Sequence, residues 1–363
     1  MGIAEMAKID QFLKLLADNG GSDLHLTAGA QPIMRLHGSM TPYNFRELTG
    51  REVQGLVHEI MSESQRAEFE ASMDIDFAYE IPDVARFRVN AFMQRKGMGA
   101  VFRTIPTEVL TADQLKLPEV VRKFGMLSKG LVLVTGPTGS GKSTTLAAII
   151  DLINEKRRDH ILTIEDPIEF THHNKKCLVN QREIGRNTES FARALRAALR
   201  EDPDVILIGE MRDLETIELA ITAAETGHLV FGTLHTTSAP KTIDRIIDVF
   251  PTAQQPQIRS MLAESLRGVV SQVLLKKKGG KGRVAALEIM VSTSALANLI
   301  RENKIYQIAS VMQTGKKLGM QMLDQHILEL LMAGEIEPLE AYTKAHTKSN
   351  FEKYLKEPPP VEE

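Results

Sequence analysis

The octapeptide GPTGSGKS (136–143) constrains this chain more than any other stretch. It follows the apolar run LVLVT and opens STTLAAIIDLINEK, a segment with helical periodicity. Strand, glycine-rich turn of the form G-x-x-x-x-G-K-[ST] and helix are the three parts of a phosphate-binding loop. Gly136, Gly139 and Gly141 allow backbone N–H groups to turn inward around phosphate oxygens, and the helix adds its positive N-terminus. Pro137, Thr138, Ser140 and Thr144 complete the expected cradle. Lys142 is expected to reach the β- and γ-phosphates and Ser143 to hold Mg²⁺. The ligand this pattern requires is ATP with Mg²⁺.

The neighbouring segments repeat the same rhythm. LVLVT, HILTIE, DVILIGE and HLVFGTLH are short apolar strands separated by helical patterns such as SFARALRAALRED and DLETIELAITAAETG. Such alternation predicts an α/β fold, a mainly parallel sheet with helices on both faces. DVILIGEMRD (204–213) is an apolar strand ending in an acid, Glu210, expected to orient the attacking water as general base and to face Mg²⁺. TIEDPIEF (163–170) sets Glu165, Asp166 and Glu169 around Pro167 at another strand end. Parallel sheets bind ligands there, so Glu165 and Asp166 are expected near Mg²⁺, and Glu165 and Glu169 near the attacking water.

Residues 1–105 differ in pattern: one helix, short alternating segments, then VARFRVNAFMQRKGMGAVFRTI, a hairpin by its alternation. This predicts a small α+β domain. Residues 106–118, with Pro106 and Pro118, read as a linker. The ATPase core is expected over 119–290, C-terminal helices over 291–356 and a polar tail at 357–363. KKKGGKGR (276–283) is expected to be a solvated hairpin turn. A net charge of −3 and no Trp give little sign of a basic, aromatic-bearing nucleic-acid channel, and a single cysteine, Cys177, excludes a Cys-rich zinc site and an intrachain disulfide. No apolar run approaches the roughly 20 residues that span a bilayer, so no direct membrane insertion is expected.

The P-loop, EDPIE, GEMRD and paired-histidine segments, in this order, resemble the secretion-ATPase superfamily, whose members power type II secretion, type IV secretion and type IV pili. Within it the chain is most similar to pilus retraction ATPases, through NQREIGRNTESFARALRAALREDPD (180–204) and ALANLIRENK (295–304). The second differs from the family's AIRNLIRE pattern at Leu296 and Ala297, while Asn298, Leu299, Ile300, Arg301 and Glu302 match. One cysteine cannot supply the tetracysteine insert usual in extension and secretion ATPases, and the expected length lacks their extra N-terminal domain.

The resemblance implies a PAS-like N-terminal domain, a RecA-like ATPase domain and a homohexameric ring in the cytoplasm, peripheral at the inner-membrane base of the pilus machine. Its implied partner is an inner-membrane pilus platform protein, with a companion retraction ATPase as a further partner. It matches Arg88 and Arg103 to arginines that approach nucleotide phosphates, with Arg95 a weaker third, and implies that domain movement opens and closes the active site. His228 and His235 lie seven apart around one strand, so they point to opposite faces and not to one metal. His235, at the C-terminal end, is expected to sense phosphate, and His228 to bond a neighbouring element and report domain position. Rival readings are an extension or secretion ATPase, a nucleic-acid translocase and a non-hydrolysing nucleotide switch.

Overall fold

A computed structural model describes residues 7–36, 39–82, 84–105, 109–280 and 282–355. The chain divides into two compact units, at Glu108/Val109.

In the first unit the elements run α1 (Asp10–Asp18), β1 (Asp23–Thr27), β2 (Ile33–Leu36), β3 (Ser39–Pro42), α2 (Gly50–His58), α3 (Glu63–Ser72), β4 (Asp74–Ile81), β5 (Ala85–Gln94) and β6 (Gly97–Ile105). The strands form one antiparallel sheet ordered β3-β2-β1-β6-β5-β4. Both α2 and α3 start at capping boxes, Thr49 with Glu52 and Ser62 with Gln65, each satisfying two otherwise orphan donors. Ile9, Leu13 and Leu16 from the start of the chain pack with Leu24, Leu26, Phe87, Val89 and Phe102 in the core. The expected hairpin is β5 and β6, joined through Arg95 and Lys96, with Gly97 at φ +122°.

The second unit begins with α4 (Glu119–Phe124), β7 (Gly130–Thr135), α5 (Lys142–Lys156), β8 (His160–Glu165), β9 (Leu178–Glu183), α6 (Phe191–Ala198), β10 (Val205–Ile208), α7 (Leu214–Glu225) and β11 (Leu229–Leu234). It continues with α8 (Ala239–Asp248), α9 (Gln255–Ser265), β12 (Leu266–Lys276), β13 (Arg283–Val291), α10 (Ser294–Arg301), α11 (Ile308–Thr314), α12 (Leu323–Met332) and α13 (Pro338–Lys344). Seven strands are ordered β13-β12-β7-β11-β10-β8-β9, all pairs parallel except β12–β13. Side chains of β7 alternate between two cores: Leu131 and Leu133 join one, Val132 and Val134 the other. Covered on both faces, this strand is apolar throughout, which is why LVLV carries no alternation.

Two sequence expectations change in detail. The linker segment is part of the second unit from Val109 onward, with Ala112 and Leu117 buried in its core; 106–108 lie outside the described residues. Strand β9 was not expected, since LVNQRE is polar at the sheet's edge. The basic turn after β12 is exposed over 276–280, as expected, and is tied to the C-terminal part of the chain: Lys276 N donates to Glu340 (3.0 Å), Lys278 N to the Glu335 carbonyl (2.8 Å), and Lys278 Nζ lies 3.9 Å from Glu337. Lys281 and the tail 357–363 lie outside the described residues.

Candidate active site

The P-loop joins β7 to α5, as the pattern requires. Gly136 sits at φ +144°, and a Cβ there would lie 2.3 Å from the Gln272 carbonyl oxygen and 2.5 Å from Ser140 Oγ. Only glycine fits. Gly139 and Gly141 are also left-handed, at +76° and +88°. Pro137, Thr138 and Gly139 are exposed at the crest of the loop, while Ser140 is buried with its hydroxyl oxygen lacking a hydrogen-bond partner among the described residues. Ser143 and Thr144 are half-buried in the first turn of α5. Lys142 Nζ donates to the loop's own carbonyls, Gly136 (2.9 Å) and Pro137 (3.2 Å). Burial pushes its ammonium below the usual range, and the charges of Glu210 and Glu169 act against that.

The loop is braced by residues that sequence reasoning did not single out. Buried Gln272 on β12 donates to the Ser140 carbonyl (2.7 Å) and accepts from Thr145 Oγ1 (3.0 Å). Ser271 bonds Thr135 at 2.7 Å. Both hide in the run VVSQVLL, 127 to 136 positions from their partners, where apolar context gives no signal.

Glu210 follows β10, and His235 follows β11, the adjacent parallel strand. Their side chains meet, His235 Nε2 to Glu210 Oε1 at 2.8 Å. Arg212 Nε also pairs with Glu210. Burial raises the Glu210 carboxyl, but Arg212 and His235 outweigh it and hold the group below the usual carboxylate range. It is ionised at neutral pH. Asp213 accepts from Thr216 N (2.9 Å) and caps α7, so the last acid of GEMRD is structural.

Glu165, at the end of β8, accepts from Thr163 (2.6 Å) and Gln181 (3.1 Å). Burial pushes its carboxyl up, against those two bonds. The turn that follows is held by buried Glu183, which accepts from Ile168 N at 3.1 Å; Asp166 and Glu169 remain exposed. Thus Glu165, Asp166, Glu169, Glu210 and His235 lie at the C-terminal ends of β8, β10 and β11 or in the turns that follow, and Lys142 and Ser143 open the helix that the P-loop joins to the C-terminal end of β7. His228 lies at the opposite end of β11, where Nδ1 bonds the Ala223 carbonyl (2.9 Å) of the preceding helix. The two histidines are therefore apart.

Arg88 and Arg103 belong to the first unit and are cross-strand neighbours. Arg103 Nε donates to buried Asp23 at 2.8 Å, and Arg88 lies 3.5 Å from Asp76. Arg95 is at the hairpin turn. Among the described residues no three His, Cys, Asp or Glu side chains form a metal-holding group by themselves. No helix among the described residues is long and apolar enough to cross a membrane.

The family model described as "Type II/IV secretion system protein" matches residues 6–347. The type IV pilus retraction ATPase PilT of Pseudomonas aeruginosa is 58% identical over 343 residues, covering 94% of this chain and 99% of that protein. A twitching motility protein of Neisseria gonorrhoeae is 56% identical over 320 residues, 88% of this chain and 86% of its own. Among solved structures, the pilus retraction motor PilT with bound ADP superposes with a TM-score of 0.89 at 47% identity, covering 96% of this chain and all of that one. With a P-loop, an acid–histidine pair and an end-to-end likeness of this degree, the chain belongs to the type II/IV secretion system protein family, on its pilus retraction ATPase branch.

Proposed function

We propose that the chain is a Mg²⁺-dependent ATPase that works as a homohexameric motor for type IV pilus retraction and so for twitching motility. The observation that carries this reading is the end-to-end likeness to retraction ATPases. The site supports the chemistry. Lys142, held by loop carbonyls, exchanges them for phosphate oxygens, which are better acceptors for an ammonium. Ionised Glu210 accepts a proton from the attacking water, and the His235 bond fixes the carboxylate that receives it. When bound, Mg²⁺ would be held by Ser143 and, through water, by Glu165, Asp166 and Glu210, and would offset phosphate charge. Glu165 and Glu169 orient water. Arg88 and Arg103 supply the further positive charge that phosphoryl transfer demands, once Asp23 and Asp76 release them.

His235 reports the phosphate state through Glu210, and His228 reports through α7. The remaining assignments follow the branch: action in the cytoplasm against an inner-membrane platform protein, with a companion ATPase as a further partner, and ALANLIRE serving retraction away from the chemistry. That segment is α10, with Leu296, Ala297 and Ile300 buried and Arg301 bonded to Asn298 (2.9 Å). The test is ATP turnover by the full chain with Mg²⁺, beside Glu210→Gln. Turnover lost with nucleotide binding retained is the expected result; equal rates in both would remove Glu210 as the base.

A further inference from the structure

Glu288, in the middle of β13, is 1% exposed, and its carboxylate accepts from Ala239 N, the first residue of α8, at 2.8 Å. Helix N-termini present unsatisfied donors and positive partial charge, so the carboxylate satisfies one of them. Ser238, the N-cap of α8, accepts from Lys241 N, so Glu288 adds to an ordinary serine cap. Burial nevertheless pushes this carboxyl above its usual range. A buried acid is a costly way to hold a helix that a serine already caps.

What lies on either side explains the location. Only four residues, His235 to Ser238, separate the end of β11 from α8, and the first of them holds Glu210. The far end of that short loop is therefore pinned by Glu288. On the other side, α12 is latched to β13 around the same point: Gln321 exchanges backbone hydrogen bonds with Ile289 (3.0 and 2.8 Å), and His326 Nδ1 accepts from Leu287 N (3.0 Å). Asp324, next in α12, accepts from His346 N and Thr347 N at 2.7 and 2.9 Å and ties in the end of the chain. Glu288 also stands opposite Ser271, whose hydroxyl bonds Thr135 immediately before the P-loop.

We infer that Glu288 is a positioning residue for hydrolysis, setting His235 and hence Glu210 through the start of α8 from the strand to which α12 is latched. This rests on the ATPase reading above. It makes α12 and what it holds a control surface on turnover.

The experiment compares the full chain with Glu288→Leu and Glu288→Asp. Leu keeps the bulk but has no acceptor; Asp keeps the carboxylate but falls one methylene short. Turnover, KM for ATP, equilibrium binding of a fluorescent ADP analogue and the thermal midpoint are measured on each. Removal of partners that orient a reactive group costs roughly 10–100-fold elsewhere. Both variants should lose about tenfold or more in kcat, with ADP-analogue affinity within about twofold of the parent. An unchanged kcat in a folded variant overturns the inference. So does a loss of affinity in step with kcat, which marks a purely structural brace. If the parent itself does not turn over ATP, the ATPase reading fails instead, and the two failures are distinct.

Discussion

Replacing Gln272 by leucine tests how far the P-loop depends on a residue outside it. Gln272 is 2% exposed; its Nε2 donates to the Ser140 carbonyl (2.7 Å) and its Oε1 accepts from Thr145 (3.0 Å). Leucine has a similar volume and can do neither. Two buried polar groups are left without partners, at about 1–3 kcal/mol each, or about 2–6 kcal/mol together. Both flank Gly141 and Lys142, so the loop regains partners only by shifting toward water, away from the geometry that binds phosphate. Even about 1.4 kcal/mol spent in that shift weakens nucleotide binding tenfold. Titration with a fluorescent ADP analogue should show at least that loss, and thermal unfolding should show a lower midpoint for the second unit. An affinity within twofold of the parent, with an unchanged midpoint, refutes the reasoning.

Two further outcomes are expected. Arg103→Ala should slow ATP turnover by about 10³-fold if it acts as an arginine finger, and should destabilise the first unit by removing a partner of buried Asp23; an unchanged steady-state rate removes Arg103 from that role. Burial lowers the His172 ring to about 4, so the folded state refuses a proton that the unfolded chain takes up near 6.5. The unfolded state then binds more protons across that window, and stability falls as pH drops from about 6.5 to about 4; urea midpoints should show this slope, and His172→Gln should flatten it.

Much of the site was legible because its signals are local. The P-loop spacing, the acid after DVILIG and the histidine after LVFGTL each announce themselves within ten residues, and parallel strands bring their ends together. The register of β10 against β11 then sets Glu210 beside His235. What supports these residues was not legible. Gln272, Gln181 and Glu288 sit in strands whose neighbours in sequence explain nothing about them; their partners lie on other elements. Arg212 was within reach, two positions after Glu210, yet an exposed arginine beside an acid is an ordinary surface pair until the fold shows which carboxylate it holds. Strand β9 was missed for the opposite reason to β7: at the sheet's edge it needs no apolar run, and its pairing with β8 is supplied by backbone.

The measurement that bears most directly on the central claim is made in cells from which this gene has been deleted, scoring surface pili and twitching together. A retraction motor predicts cells that carry more pili than the parent and do not twitch, with both restored by the intact gene and neither by Glu210→Gln. Cells without pili would contradict the account, since they would place the same ATPase chemistry behind extension.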